Sequence, residues 1–180
     1  MAAVKFTTGL VRLSYPHIFR PAETLNGELK YSASLIIPKD SDTAKRIEGV
    51  VSEMMAKPET KQLLGKAKPK YALLRDGDEK EDPAYMGAYF INAKSNEDHP
   101  PKVLDKDRVE VADSNDVYAG CYVQAIISIY AYNKNGNSGF GASLLGIRKI
   151  KDGEPLTGNF VSDSDFDDSL LGGDGLDDLM

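Results

Sequence analysis

A chain of 180 residues, 41% of them apolar, has the length of one domain plus an appendage and enough apolar side chains for a real core. Its single cysteine excludes an internal disulfide, and no apolar run nears the roughly 20 residues of a membrane span. The net charge of −6 joins two unlike parts: residues 1–151 hold all 22 Lys and Arg against 19 Asp and Glu (22 − 19 = +3), while residues 152–180 hold nine acidic residues and no basic one.

Val4 to Ser14 is expected to form a strand broken near Gly9 and stopped by Pro16. Residues 15–28 then read as a loop punctuated by Pro16, Pro21 and Asn26-Gly27. The next strand alternates cleanly. Tyr31, Ala33, Leu35 and Ile37 share one face, and Lys30, Ser32 and Ser34 the other, which makes Tyr31 a core residue rather than a ligand contact. Pro38 stops it. Asp40 or Ser41 caps a helix in which Ile47, Val50, Val51, Met54 and Met55 recur at helical spacing. That stripe is a core-facing seam, and its methionines carry no cofactor role. Pro58 ends the helix, and a weaker helical turn at Lys61–Leu64 leads to Lys66, Lys68 and Lys70.

Residues 76–84 read as a solvated charged loop. Residues 87–94 resume as a strand, with Tyr89, Ile91 and Ala93 on one side and Phe90, Asn92 and Lys94 on the other. A loop over 95–108, containing Pro100-Pro101, and a turn at Asp113–Asp116 follow. The strongest strand is Cys121–Tyr132. Val123, Ala125, Ile127, Ile129 and Ala131 form its apolar face, opposite Tyr122, Gln124, Ile126, Ser128, Tyr130 and Tyr132. Cys121 is expected to be a buried, inert thiol. Residues 133–137 signal a hairpin, because Asn-Gly tolerates the positive φ of a tight reversal, and a partner strand runs from about Gly139 to Ile150. Five or more strands with one main helix after the second predict a mainly-β, α+β fold: a small, partly closed barrel with helical insertions. From about Thr157 the pattern dissolves into Asp, Gly and Ser, too poor in apolar residues to offset ordering entropy. The expected division is a body at 1–158 and a disordered acidic tail at 159–180.

Tyr122, Tyr130 and Tyr132, interleaved with polar residues and close to Lys134, are what base stacking beside a phosphate backbone requires. Phe90, Asn92 and Lys94 repeat the pattern. Two readings stay open for these rings: a stacking surface for single-stranded DNA, or packing beneath a helix or loop. On the first reading Arg148 and Lys149 join Lys94 and Lys134 on phosphates, and Tyr15, Phe19 and Arg20 close over the strand. In the tail, Asp163, Asp165, Asp167, Asp168, Asp174, Asp177 and Asp178 form a polyanion that can compete for a basic groove at high effective concentration. Leu179 and Met180 offer an apolar plug for a partner. No phosphate-cradling or zinc-protease motif and no Ser–His–Asp grouping occurs. Two histidines, His17 and His99, and one cysteine give no zinc spacing. The doublets Asp76/Asp78 and Asp105/Asp107 have basic neighbours and read as solvated surface rather than nuclease carboxylates. The expectation is a protein without catalytic activity, metal or cofactor.

The stretches 11–21 (VRLSYPHIFRP), 27–39 (GELKYSASLIIPK), 87–94 (GAYFINAK) and 119–156 also carry a resemblance. Together they resemble the Enc34-like family of phage single-stranded DNA-binding proteins over nearly the whole body. That resemblance implies an OB-fold that binds single-stranded DNA in replication, recombination and repair. It also implies an acidic C-terminus that competes for the groove and recruits replication or recombination enzymes, in the host cytoplasm if the chain is phage-encoded. Better-known proteins of this class end in an aromatic residue, whereas this chain ends in Leu179-Met180. A structural or assembly protein of a phage particle is the alternative. An edge strand could pair two protomers, and nothing in the sequence requires it.

Overall fold

Eleven residues of alternating burial, Tyr122 to Tyr132, run through a thirteen-residue strand long enough to serve as the spine of the fold. The computed structural model describes residues 3–65, 69–156 and 166–171. In chain order its elements are β1 (Val4–Thr7), β2 (Val11–Glu23), β3 (Leu29–Pro38), α1 (Asp42–Ala56), α2 (Pro58–Leu64), β4 (Arg75–Asp76), β5 (Ala88–Asn96), β6 (Lys102–Leu104), β7 (Tyr122–Lys134) and β8 (Asn137–Lys151). β2, β3, β5, β8 and β7 close a five-stranded ring, each paired with the next and β7 returning to β2. This is the mainly-β, OB-like ring expected. Two of its joints are thin: β5 meets β8 in parallel at only Ala93–Ala142 and Lys94–Ser143, and β2 meets β7 at only Val11–Val123 and Arg12–Tyr122. β1 extends the β2 side of β7 beyond the break at Gly9, while β4 and β6 add to β5 and β8.

The predicted apolar faces meet inside the ring. Leu35, Ile37, Ile91, Val123, Ala125, Ile127, Ile129 and Leu144 are buried together with Cys121. Tyr31, expected among them, is only half-buried and belongs to neither buried cluster. Burial pushes the Cys121 thiol above its ordinary pKa, which suits an inert role. α1 covers one opening of the core with Ala44, Ile47 and Met54. Its cap is Ser41, whose Oγ accepts the Ala44 N–H at 3.2 Å. Met55, counted in the seam, is instead 36% exposed. Pro58 does end α1, and it also opens α2 at the position where a missing N–H costs nothing. Asn135 and Gly136, with φ of 53° and 87°, make the predicted β7–β8 turn.

Three expected loops carry regular structure. β2 continues through Pro16 and Pro21 to Glu23, because its pairing with β3 slips between Ser14 and His17 and again between His17 and Ala22. At such bulges the ladder is already interrupted, so proline forfeits no hydrogen bond. Within the second, 95–108, β6 begins at Lys102 directly after Pro100-Pro101 and pairs with β8 in parallel.

Residues 76–84 form the third, and they fold into a lid over the outer face of β5. Two 3-10 turns, Gly77–Lys80 and Pro83–Tyr85, bring Tyr85 down onto Ile36, Ala88 and Phe90 in a second buried cluster. The Tyr85 ring meets Phe90 edge-on at 5.4 Å, and the Lys80 ammonium lies 4.2 Å and 4.8 Å from the two ring centres. Asp76 and Asp78 are not bare surface carboxylates. Both grip the Lys39 ammonium, at 2.7 and 2.8 Å, which holds their carboxyls below the usual pKa. The buried Tyr85 hydroxyl donates to Ser14 Oγ at 2.7 Å. Tyr85→Phe is expected to cost about 1 kcal/mol, the net worth of one such bond, read as a lower urea midpoint with an unchanged slope. An unchanged midpoint would show that the bond adds nothing.

Candidate nucleic-acid interface

The outward side chains of β3 and β5 face each other across the ladder, Ser32 opposite Lys94 and Ser34 opposite Asn92. They form one bank of a groove of about 580 Å3. Tyr130, Tyr132 and Lys134 of β7 form the other bank, and Phe140, Gly141 and Ala142 of β8 lie between. Tyr15 and His17 enter from β2, and Arg75 from β4. Lys94, Lys134 and Arg75 bring positive charge, and among the described residues no carboxylate lines the groove. It lies on the second and third strands of the ring, between the β2–β3 loop and the β7–β8 turn. Five-stranded barrels of this kind bind oligonucleotides on that face.

Backbone geometry fixes the rings. Tyr130 lies across Gly141, where a Cβ would come within 2.7 Å of the tyrosine hydroxyl, so a larger residue there would displace the ring. Gly139 likewise admits the backbone of Tyr71, which accepts the Phe140 N–H at 3.0 Å. Tyr130 is 37% exposed and Tyr132 half-buried, their centroids 6.1 Å apart. Burial raises the Tyr132 hydroxyl pKa, the Tyr130 and Tyr71 hydroxyls add to the rise, and Arg75 opposes it. The hydroxyl is therefore neutral at physiological pH. Tyr15 is 61% exposed and adopts a φ of 45°, a strained backbone for a non-glycine residue. A smaller hollow continues the groove along His17, Ser32 and Lys94 to Lys30 and the β2–β3 loop.

The family model described as the single-stranded DNA-binding protein of Enterobacter phage Enc34 matches residues 4–177. The chain belongs to this Enc34 family. It is 33% identical over 175 residues to a protein of Acyrthosiphon pisum secondary endosymbiont phage 1 described as "Putative protein p50", covering 92% of this chain and 94% of that protein. Among solved structures it is similar to the bacteriophage Enc34 single-stranded DNA-binding protein in complex with single-stranded DNA. That match has a TM-score of 0.72 at 30% identity, over 85% of this chain and 89% of the other. The gp2.5 single-stranded DNA-binding protein of bacteriophage T7 shares the fold, with a TM-score of 0.60 at 16% identity over 91% of this chain and 100% of that one.

In this Enc34-family chain the groove unites Tyr15, Lys94, Tyr130, Tyr132 and Lys134 of the predicted site. The other candidates lie elsewhere. Phe90 is 7% exposed beneath the lid formed by Tyr85 and Lys80, so it presents no open ring. Phe19 is half-buried against the main core, and Arg20 is exposed away from the groove lining. Tyr122 stands eight residues down β7 from Tyr130, roughly 26 Å at ~3.3 Å per residue, between Arg12 and Lys151. Arg148 is held by the Lys106 carbonyl and Gln124, and Lys149 by Asp152 at 2.6 Å. Sequence reasoning misses His17 and Arg75. Proline punctuation hides the strand that carries His17, and Arg75 belongs to a two-residue strand too short to show periodicity. Among the described residues no group of three or more His, Cys, Asp or Glu is placed to hold a metal, and no helix is long and apolar enough to cross a membrane. Of the tail candidates, Asp167 and Asp168 are exposed. Asp163, Asp165, Asp174, Asp177, Asp178, Leu179 and Met180 lie outside the described residues, as do Lys66 and Lys68.

Proposed function

We propose that this chain binds single-stranded DNA in the groove without sequence preference. The observation that carries the reading is the pairing of the Tyr130 and Tyr132 rings with Lys94, Lys134 and Arg75 in a trough whose described lining holds no carboxylate. Rings accept any base face and cations accept any phosphate, so neither contact reads sequence. The solved complex of the Enc34 relative with single-stranded DNA supports the same ligand here. The process served is phage DNA replication, recombination and repair in the host cytoplasm, with no chemistry performed on the DNA. Anisotropy titrations with oligo-dT, oligo-dC and mixed oligonucleotides at about 50 mM salt should give similar affinities. No binding to any of them would overturn the reading.

The acidic tail acts in this reading as a tethered competitor for the groove and as a contact for replication or recombination enzymes. Removing residues 159–180 should tighten binding to oligo-dT several-fold at about 50 mM salt. Near 1 M salt, where the Debye length is ~3 Å, the difference should vanish. Equal affinity of both chains at low salt would leave the tail to partners alone.

A further inference from the structure

A second cationic trough lies on the outer face of the ring, away from the DNA groove. Lys5, Lys102, Arg108 and Arg148 surround a floor made by Leu104, Ile126, Leu145 and Ile147. None of the four cations pairs with a carboxylate among the described residues. Arg148 is positioned by neutral groups, donating to the Lys106 carbonyl at 2.6 Å and to Gln124 Oε1 at 3.4 Å, so its charge stays uncompensated. Leu145 is 41% exposed on this floor. Among the described residues no aromatic side chain and no carboxylate lines the trough.

We propose that this trough docks the acidic end of the same chain, centred on Phe166–Leu171. Charge and apolar content both match. The segment reads Phe-Asp-Asp-Ser-Leu-Leu, and Phe166, Leu170 and Leu171 are 77%, 88% and 58% exposed. A nucleic acid could use the cations, but it would find no ring to stack on and would leave the aliphatic floor uncovered. Reach also favours the tail. The Leu156 N–H donates to the Ala119 carbonyl, so the chain leaves the body beside the start of β7. Gln124 and Ile126 lie five and seven residues along from there, roughly 16–23 Å at ~3.3 Å per residue. The ten residues from Leu156 to Phe166 span at most ~33–36 Å. Tyr130, eleven residues along at roughly 36 Å, is at the limit of that span. The tail is thereby shared between the trough and the DNA groove, a partition that rests on the competition proposed above.

Cys121 is wholly buried, so a Ser169→Cys full-length chain offers one accessible thiol for a benzophenone crosslinker. Crosslinks are expected on residues 102–108 and 145–148, and Lys102→Ala with Arg108→Ala should abolish them. Crosslinks concentrated on residues 92–94 and 130–134, or none to the body, would overturn the docking site. The same double substitution should lower oligo-dT affinity several-fold in the full chain, because the released tail competes more. It should have no effect when the seven tail aspartates are changed to asparagine. An equal fall in both backgrounds would mean that DNA occupies the trough and would also overturn the proposal. Trough crosslinks with unaltered DNA affinity would support docking while removing the competition from the proposed function.

Discussion

Tyr130→Ala is expected to weaken binding to oligo-dT by roughly 1–3 kcal/mol, about five- to 150-fold, the usual worth of one stacked base. The ring is 37% exposed, lies outside both buried clusters and rests across Gly141, so its loss opens no core cavity. The circular dichroism spectrum and melting temperature should therefore hold while affinity falls. Tyr130→Phe keeps the π-face and should retain most of the binding. Unchanged affinity in a folded alanine variant would take Tyr130 out of the site.

The second large effect is on salt dependence. Lys94, Lys134 and Arg75 line the groove, and Lys30, paired with Glu28 at 3.7 Å, lies on its continuation beside Glu23. Three or four phosphate contacts predict a slope of log affinity against log salt of roughly −2 to −3 for a single strand, at about −0.7 per contact. Between about 50 and 200 mM salt the affinity should fall roughly 20- to 50-fold. The measurement is best made without residues 159–180, whose carboxylates would add their own dependence. Arg75→Ala should flatten the slope by about 0.7. A slope near zero would show that phosphate contacts do not hold the ligand.

The body was legible wherever one face of an element is buried and the other wet. Alternation places Val123, Ala125, Ile127, Ile129 and Ala131 inside and Tyr130 and Tyr132 outside, and Asn135-Gly136 announces its turn. What hid was set by contacts distant in sequence. Phe90 shares its strand face with Asn92 and Lys94, yet Tyr85 and Lys80 fold back over it alone. Nothing local to β5 encodes that cover. Pro16 and Pro21 look like strand breakers unless the partner's register is known, and that register belongs to β3. Lys149 and Arg148 sit near the end of a fifteen-residue strand, outside the groove lining, and position along β8 is invisible to a face count. The tail's composition is plain in the sequence, but the trough proposed for it gathers cations from β1, β6, β8 and the loop after β6, which no local pattern brings together.

The weak closure between β5 and β8 bears on mechanics as well as shape. Two parallel pairs, Ala93–Ala142 and Lys94–Ser143, hold the barrel shut directly beneath the groove. An occupant touching Lys94 on one bank and Tyr130 on the other spans that joint as a splint spans a fracture. Grip and rigidity would then rise together at one of the two short joints of the ring, the other being the two-pair meeting of β2 with β7.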